Sequence, residues 1–66
     1  MQVQVNGDAM ELPAGATVGT LIETMTLVGK RLAVEVNEDI VPRSQHAEFT
    51  LREGDRVEVV RAIGGG

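Results

Sequence analysis

The sequence predicts an α+β fold in which two strand hairpins pack around a single helix. Alternating apolar and polar residues occur in short segments at the start of the chain and again in its second half, as is typical of strands with one buried face. Between them lies one segment whose apolar residues recur at helical spacing. With 66 residues and no cysteine, the chain has room for one small domain whose core must be stable without disulfides.

The first hairpin occupies the start of the chain. Val3 and Val5 alternate with polar residues, and Met10 and Leu12 continue the alternation after a turn at Asn6-Gly7-Asp8. An Asn-Gly pair between two such runs is a strong hairpin signal, because both residues tolerate the positive φ of a tight turn. We therefore expect two antiparallel strands here.

A helix is expected next. Thr17 is of a residue type that caps helix N-termini, and the apolar residues after it are spaced as on one face of a helix. Gly29 is expected to end the helix, because glycine readily adopts the left-handed conformation that satisfies the last carbonyl groups. The stripe predicted to face the sheet consists of Val18, Leu21, Ile22 and Met25.

The third strand carries apolar residues at every second position from Leu32 to Val36. A turn at Asn37-Glu38-Asp39 is followed by the short segment Ile40-Val41 and then by Pro42. Because proline cannot donate a backbone hydrogen bond, we expect this segment to lie at a sheet edge and to stop there.

A polar connection occupies residues 44–49, and we expect one helical turn in it, capped by Ser44. Phe49 and Leu51 are expected to reach into the core. A turn at Glu53-Gly54-Asp55 then leads to the last strand.

The last strand predicts an exposed surface. If Val57 and Val59 face the helix, then Glu58 and Val60 face outward, on the same side of the sheet as the outward residues of the third strand. Small, apolar and acidic groups would then share a surface that is either an ordinary sheet face or a docking patch for a protein. The residues predicted for the patch are Ala33, Glu35, Glu58, Val60 and Ile63.

Composition excludes several classes of partner. The net charge is −4, and Phe49 is the only aromatic residue in the sequence, so that nucleic acid is a poor partner and a basic protein surface a better one. No stretch approaches the length of a membrane-spanning helix, and the N-terminal residues do not resemble a signal peptide. We expect no membrane partner, a cytoplasmic location and a monomer when the protein is free.

His46 is the one histidine of the sequence, and Ser44 and Glu48 lie near it. Residues that alternate along a short loop seldom converge on one substrate atom, so a catalytic triad is not expected. One nitrogen and one carboxylate are also too few ligands for zinc. We therefore expect a solvated loop histidine, no catalytic residue and no metal site.

The chain ends in the glycines Gly64, Gly65 and Gly66. Glycine has no side chain to pack and loses the most backbone entropy when it is ordered, so this run does not serve stability. It is either a frayed end or a tail whose terminal carboxylate is threaded through a channel too narrow for other residues. We therefore expect a folded domain over residues 1–63 and a flexible tail over residues 64–66.

Several stretches, taken together and in order, resemble one protein family over the whole chain. The chain is similar to the ubiquitin-like sulfur carriers of thiamine biosynthesis, in which a final Gly-Gly pair is the hallmark; Gly64 is an additional glycine. This resemblance implies the β-grasp fold, a mixed sheet of four to five strands packed on one helix. The matching stretches are Ala14-Gly15-Ala16-Thr17-Val18, Val36-Asn37, Ile40-Val41-Pro42-Arg43, Glu53-Gly54-Asp55 and Ala62-Ile63-Gly64-Gly65-Gly66.

The resemblance also implies a chemistry for the tail. An adenylyltransferase of the ubiquitin-activating type would join Gly66 to AMP with Mg-ATP, while Gly64 and Gly65 thread the tail into the partner. A cysteine desulfurase or persulfide sulfurtransferase would supply sulfur, and thiazole synthase would accept it from a Gly66 thiocarboxylate. The chain would then be a protein cosubstrate that binds no cofactor itself, and the catalytic groups would belong to its partners.

Three function hypotheses remain open, and the first, which the resemblance implies, is the leading one. The first is the thiazole sulfur carrier. The second is a related carrier, either the small subunit of molybdopterin synthase or a carrier for tRNA thiolation. The third is a protein modifier or a plain interaction module.

Overall fold

The computed structural model describes residues 1–61. The predictions for Ile63, for Gly64, Gly65 and Gly66, and for a domain boundary after residue 63 lie outside the described residues. Within them, the chain forms five strands, one α-helix (α1) and one short 3₁₀ segment. Their bounds are β1 Gln2–Val5, β2 Asp8–Glu11, α1 Val18–Thr24, β3 Leu32–Val36, β4 Asp39–Val41, the 3₁₀ segment Arg43–Gln45 and β5 Arg56–Arg61.

The five strands form one mixed sheet in the order β2-β1-β5-β3-β4. The central pair β1 and β5 is parallel, and the other neighbouring pairs are antiparallel. The predicted mixed sheet on one helix is confirmed, and β4 lies at a sheet edge as the proline after it indicated. The last strand of the described chain is therefore the middle strand of the sheet.

The core lies between α1 and one face of the sheet. Each strand except β2 contributes at least one buried residue to it, and α1 contributes the predicted stripe except Met25, which is partly buried. Leu51 is buried and Phe49 partly buried, as predicted. The buried apolar residues are Val3, Val5, Leu12, Ala16, Val18, Leu21, Ile22, Val34, Val36, Val41, Leu51, Val57 and Val59.

Both hairpins turn through two residues with positive φ. In the first hairpin these are Asn6 (φ 52°) and Gly7 (φ 89°), and in the second Asn37 (φ 52°) and Glu38 (φ 74°). Two consecutive left-handed residues are the signature of the type I′ turn, whose twist matches that of the flanking strands. The second turn thus forms without the glycine that usually marks it.

The turn asparagines also hold β5 in register. The Asn6 side chain accepts a hydrogen bond from the Val59 N–H (2.9 Å) and donates one to the Val59 carbonyl (3.2 Å). The Asn37 side chain accepts one from the Arg56 N–H (3.0 Å) and donates one to Asp55 Oδ1 (3.0 Å). Both turns therefore fix the strand that leads to the C-terminal residues.

The N-terminus of α1 has the predicted cap. The Thr17 hydroxyl accepts from the Thr20 N–H (3.1 Å), and the Thr20 hydroxyl accepts from the Thr17 N–H (3.2 Å). This reciprocal capping box satisfies two of the backbone donors that a helix start leaves unpaired.

The predicted helix end at Gly29 is wrong, because α1 ends at Thr24 and the left-handed residue is Thr26 (φ 61°). The Thr26 N–H donates to the Glu23 carbonyl (3.0 Å), and the Leu27 N–H donates to the Ile22 carbonyl (3.0 Å). This pair of bonds is the Schellman motif, which normally has glycine where Thr26 stands. Gly29 (φ 85°) lies instead in the following turn.

The prediction that Ser44 caps the turn after β4 is also wrong. The 3₁₀ segment begins at Arg43, directly after Pro42, and its start has no side-chain cap. Pro42 occupies the N-cap position with an extended backbone (ψ 148°), and its carbonyl accepts from the Gln45 N–H (2.8 Å), so the turn is closed by the backbone without a capping side chain.

The N-terminal amine gives a pH-dependent contribution to stability. It donates to Glu11 Oε2 (2.8 Å) and to the Leu12 carbonyl (2.9 Å). The hydrogen bond to Glu11 is the main cause that raises the pKa of the amine above its ordinary value of 8.0, against a smaller opposing effect of desolvation. This contribution is fully present below the ordinary pKa and is lost as pH rises through the raised one.

We therefore expect Glu11→Gln to lower the melting temperature at neutral pH, and the difference from the parent to shrink in alkaline solution. Glu38→Gln is the matched control, because it removes the same charge from an exposed turn. A difference between the parent and Glu11→Gln that stays constant with pH would contradict the assignment.

Candidate functional site

The predicted docking residues that lie in the described chain share the face of the sheet opposite α1. Ala33 of β3 is directly opposite Val60 of β5, and Glu35 is directly opposite Glu58. Val57 and Val59, which alternate with them, are buried. The predicted orientation of β5 is therefore confirmed, while a docking role for its outward residues remains a prediction.

One exposed apolar residue of this face was missed by sequence reasoning. Ile40 of β4 pairs with Glu35 and is 74% exposed, and Val60 is 59% exposed. One row across β4, β3 and β5 is thus formed by Ile40, Glu35 and Glu58. Glu35 lies in the middle of this row and is only half-exposed. The outward-facing residues of β3, β4 and β5 on this side of the sheet are called the open face: Ala33, Glu35, Ile40, Glu58 and Val60.

A signal for Ile40 was present in the sequence. The predicted turn included Asp39, whereas the structure turns through Asn37 and Glu38 alone and pairs Asp39 with Val36. A two-residue turn sets the register of the hairpin, and this register places Ile40 beside Glu35.

The carboxylates of the open face are arranged unfavourably for the isolated protein. Glu35 and Glu58 occupy directly opposed positions, where like charges destabilise a sheet. Two apolar side chains, Ile40 and Val60, flank this pair while remaining largely exposed. The face is therefore suited to a protein surface that presents a cation with apolar groups around it.

The open face lies beside the end of the described chain. β5 ends at Arg61, which pairs with Leu32 at the start of β3. Val60 immediately precedes Arg61, and residues 62–66 follow it. A protein bound at Val60 and Ala33 would therefore contact the domain next to the point from which its tail continues.

His46 is not the solvated loop histidine that was expected. It is half-buried, and its Nε2 lies 3.0 Å from the Val41 carbonyl oxygen. Its own carbonyl accepts from the Gly19 N–H at 2.9 Å, so the residue joins the 3₁₀ segment to both α1 and β4. Among residues 1–61, neither Ser44 nor Glu48 is hydrogen-bonded to the His46 ring. His46 therefore has a structural position.

Within residues 1–61, no group of three histidine, aspartate or glutamate side chains is arranged to hold a metal ion. No helix in the same part of the chain has the length and apolar character needed to cross a membrane.

Comparison with known proteins identifies the family. Residues 3–66 match the model of the ThiS family. The chain belongs to the ThiS family. The resemblance inferred from the sequence is thereby confirmed, and the β-grasp fold that it implied agrees with the mixed sheet described above. Members of the ThiS family are small sulfur carriers of thiamine biosynthesis, so this chain is a carrier protein rather than an enzyme.

Individual relatives agree with the ThiS assignment. The chain is 36% identical over 66 residues to the sulfur carrier protein ThiS of Escherichia coli, with 100% of both proteins covered. A crystal structure of a ThiS thiamine biosynthesis protein from Geobacter metallireducens matches with a TM-score of 0.84 at 26% identity, again covering 100% of both chains.

A different kind of relative carries a ThiS-like segment within a longer chain. A thiazole synthase of Paramagnetospirillum magneticum is 36% identical to the chain over 66 residues. The match covers 100% of this chain but only 20% of that synthase. The ThiS-family chain thus spans about a fifth of the length of the thiazole synthase that it matches.

Proposed function

We propose that the carboxylate of Gly66 is the group that carries sulfur, and that it delivers this sulfur for assembly of the thiazole ring of thiamine. The observation that carries the proposal is the ThiS family match, which extends to Gly66 and so includes the terminal glycines. The proposal requires that Gly66 bear the terminal carboxylate of the mature protein.

Activation comes first, because a carboxylate oxygen is a poor leaving group. In the proposed reaction an oxygen of the ionised Gly66 carboxylate attacks the α-phosphorus of Mg-ATP, and pyrophosphate leaves. The product is an acyl adenylate, in which AMP is a good leaving group. An adenylyltransferase of the ubiquitin-activating type supplies the catalytic groups for this step.

Sulfur transfer then replaces AMP. The terminal sulfur of a partner's persulfide, formed with a cysteine desulfurase or a sulfurtransferase, attacks the acyl carbon, AMP leaves, and an acyl disulfide forms. A second partner thiol attacks the inner sulfur and forms a disulfide with it. The outer sulfur departs with its electron pair and remains on Gly66 as a thiocarboxylate.

Thiazole synthase is the proposed acceptor. The support is the thiazole synthase of Paramagnetospirillum magneticum, a single protein that contains a segment similar to this entire chain. Such a relative is expected where carrier and synthase act together, because joining two partners in one chain raises their effective concentration.

The open face is the proposed docking surface for these partners. The five residues after Arg61 can span at most about 18 Å when fully extended. A partner that reacts with Gly66 must therefore bind the domain close to Arg61. Val60 and Ala33 meet this requirement, and the acidic pair beside them provides charge for steering a basic partner.

Substitutions on β5 test this surface. We expect Glu58→Lys to slow association with the activating enzyme and to reduce the salt dependence of that rate, because it removes an attractive charge. We expect Val60→Asp to speed dissociation, because it places a charge where an apolar contact forms. Stopped-flow binding at two ionic strengths measures both effects.

Melting curves provide the control for these variants. Glu58→Lys should leave stability unchanged or raise it slightly, since the new lysine lies opposite Glu35 and replaces repulsion with attraction. Glu23→Lys is the matched charge variant, because it changes the net charge by the same two units at an exposed position of α1, on the other side of the sheet. Binding that is equally affected by Glu23→Lys would show a general charge effect and contradict docking at the open face.

The function itself is tested by genetic rescue and by mass. The gene should restore growth without thiamine to a bacterium that lacks its own carrier. The purified protein, incubated with the activating enzyme, Mg-ATP and a persulfide donor, should gain the mass difference between one sulfur and one oxygen. Rescue of molybdopterin synthesis or tRNA thiolation instead of thiamine synthesis would contradict the proposed pathway.

A further inference from the structure

A second concave surface lies on the helix side of the molecule, away from the open face. It is a groove of about 270 Å³ between α1, the turn after α1 and the 3₁₀ segment. Its apolar lining includes Ile22, which is buried, and Leu27 and Leu32, which are half-buried. Val28, which is 66% exposed, also lines it. The groove therefore offers an apolar surface that the protein itself covers only partly.

The groove carries a small local excess of positive charge in a protein that is otherwise acidic. Lys30 and Arg43 both line it and are exposed, and Glu23 is the carboxylate among the lining residues. Within residues 1–61, neither the Lys30 ammonium nor the Arg43 guanidinium has a hydrogen-bond or ion-pair partner. The net charge of the chain is −4, so this local excess of cations is opposite in sign to the whole molecule and to the open face.

We propose that this groove is a docking site for a segment of a partner protein that carries apolar side chains flanked by carboxylates. The carboxylates would pair with Lys30 and Arg43, and the apolar side chains would cover Leu27 and Val28. Charge complementarity selects this occupant, because an apolar segment with basic flanks would meet two unpaired cations.

The size of the groove favours a peptide segment over a small molecule. Sites for small ligands commonly enclose about 300–1,000 Å³ and bury most of the ligand. The groove, at about 270 Å³, is slightly below that range and is open to solvent along one side. It is large enough for one or two side chains of a longer segment whose backbone remains outside.

The location of the groove allows two partners to bind at once. α1 and the open face lie on opposite sides of the sheet, so that an occupant of the groove does not cover Glu58 or Val60. Leu32 nevertheless lines the groove and pairs with Arg61, the last residue of β5. A segment bound in the groove would therefore lie at the end of the molecule from which the tail continues.

The test is a titration followed by amide NMR shifts of the full chain. The probe is the capped peptide Asp-Glu-Leu-Leu-Asp-Glu, and the comparison peptides replace its acidic residues with lysine or its leucines with serine. We expect saturable shifts for the amides of Gly19, Gly29 and Lys30 with the probe alone, and undisturbed amides on the open face. Equal shifts with the lysine peptide, or shifts centred on β5, would overturn the proposal.

Charge reversal provides the matched variants. Lys30→Glu with Arg43→Glu should weaken binding of the acidic peptide on the order of tenfold or more and create binding of the lysine peptide. Arg52→Glu with Arg56→Glu changes the net charge equally at exposed positions outside the groove and should leave binding unchanged. If the first pair fails to fold, Lys30→Gln with Arg43→Gln replaces it, and unweakened binding by that pair would overturn the proposal.

Two other occupants are distinguishable outcomes. If removal of residues 62–66 shifts the groove amides of the free protein, then the chain's own C-terminal segment occupies the groove. If those amides shift with protein concentration, then a second copy occupies it. Either result would overturn docking of a partner. None of these measurements uses the activating enzyme, so the proposal stands or fails independently of the sulfur-carrier chemistry.

Discussion

Deletion of Gly66, or addition of one residue after it, is expected to abolish adenylation of the chain without changing its melting temperature. Chemistry at the terminal carboxylate needs both the correct length of tail and a free carboxylate at its end. A misplacement of about 1 Å can already cost a factor of about 100 in rate, and one residue displaces the carboxylate by more than 3 Å. Pyrophosphate exchange with the activating enzyme measures the loss.

Stability should be unaffected because the last buried core residue within residues 1–61 is Val59. Circular dichroism and thermal melting provide the control for folding. A substitution in the open face is the matched binding control, since it should weaken activation without removing the reacting group. The assignment of Gly66 fails if the extended protein is activated as well as the original.

Leu21→Ala is expected to remove a large part of the total stability. Leu21 is 0% exposed and lies on the buried side of α1. Truncation of a buried leucine costs about 2–5 kcal/mol, whereas a domain of 66 residues has a total of roughly 3–10 kcal/mol at the usual stability per residue. Thermal or denaturant unfolding measures the difference directly.

Val28→Ala is the matched control for this variant. Val28 follows shortly after α1 and is 66% exposed, so that its truncation should change stability by less than about 0.5 kcal/mol. A loss below about 1 kcal/mol for Leu21→Ala would mean that the cavity left by the leucine collapses, or that α1 does not pack as described.

Much of the fold could be predicted because its signals are local. The alternation around Val57 and Val59 indicates which side of β5 is buried, and Asn6-Gly7 indicates the first turn with its register. Thr17 indicates the start of α1 because its capping partner, Thr20, is only three residues away. In each case the residues that decide the structure are neighbours in the sequence.

The end of α1 could not be predicted by the same reasoning. Thr26 is β-branched, and such residues rarely adopt positive φ. It does so here because the Schellman hydrogen bonds and the packing of Leu27 against the core compensate for the strain. The prediction placed the end of the helix at Gly29 because glycine is the usual residue at this position. Gly29 lies three positions after Thr26, where the left-handed residue is found.

Only part of the site could be predicted, because the remaining part depends on contacts between residues far apart in the sequence. Ala33 and Val60 could be assigned to one face from alternation alone, but Ile40 depends on the register of a hairpin whose turn lacks glycine. The groove forms because the chain after β4 packs against α1, where the Gly19 N–H donates a hydrogen bond to the His46 carbonyl. Contacts of that kind bring together residues far apart in sequence, and no local pattern indicates them.

The central position of β5 has a consequence for protein synthesis. Within residues 1–61, β5 is the last strand to be synthesised, yet it lies between β1 and β3 and supplies Glu58 and Val60 to the open face. A nascent chain that still lacks β5 has only the two separate hairpins β1-β2 and β3-β4 and an incomplete open face. The sheet is therefore completed only once β5 has been synthesised, and a partner that binds the open face would distinguish complete domains from incomplete ones.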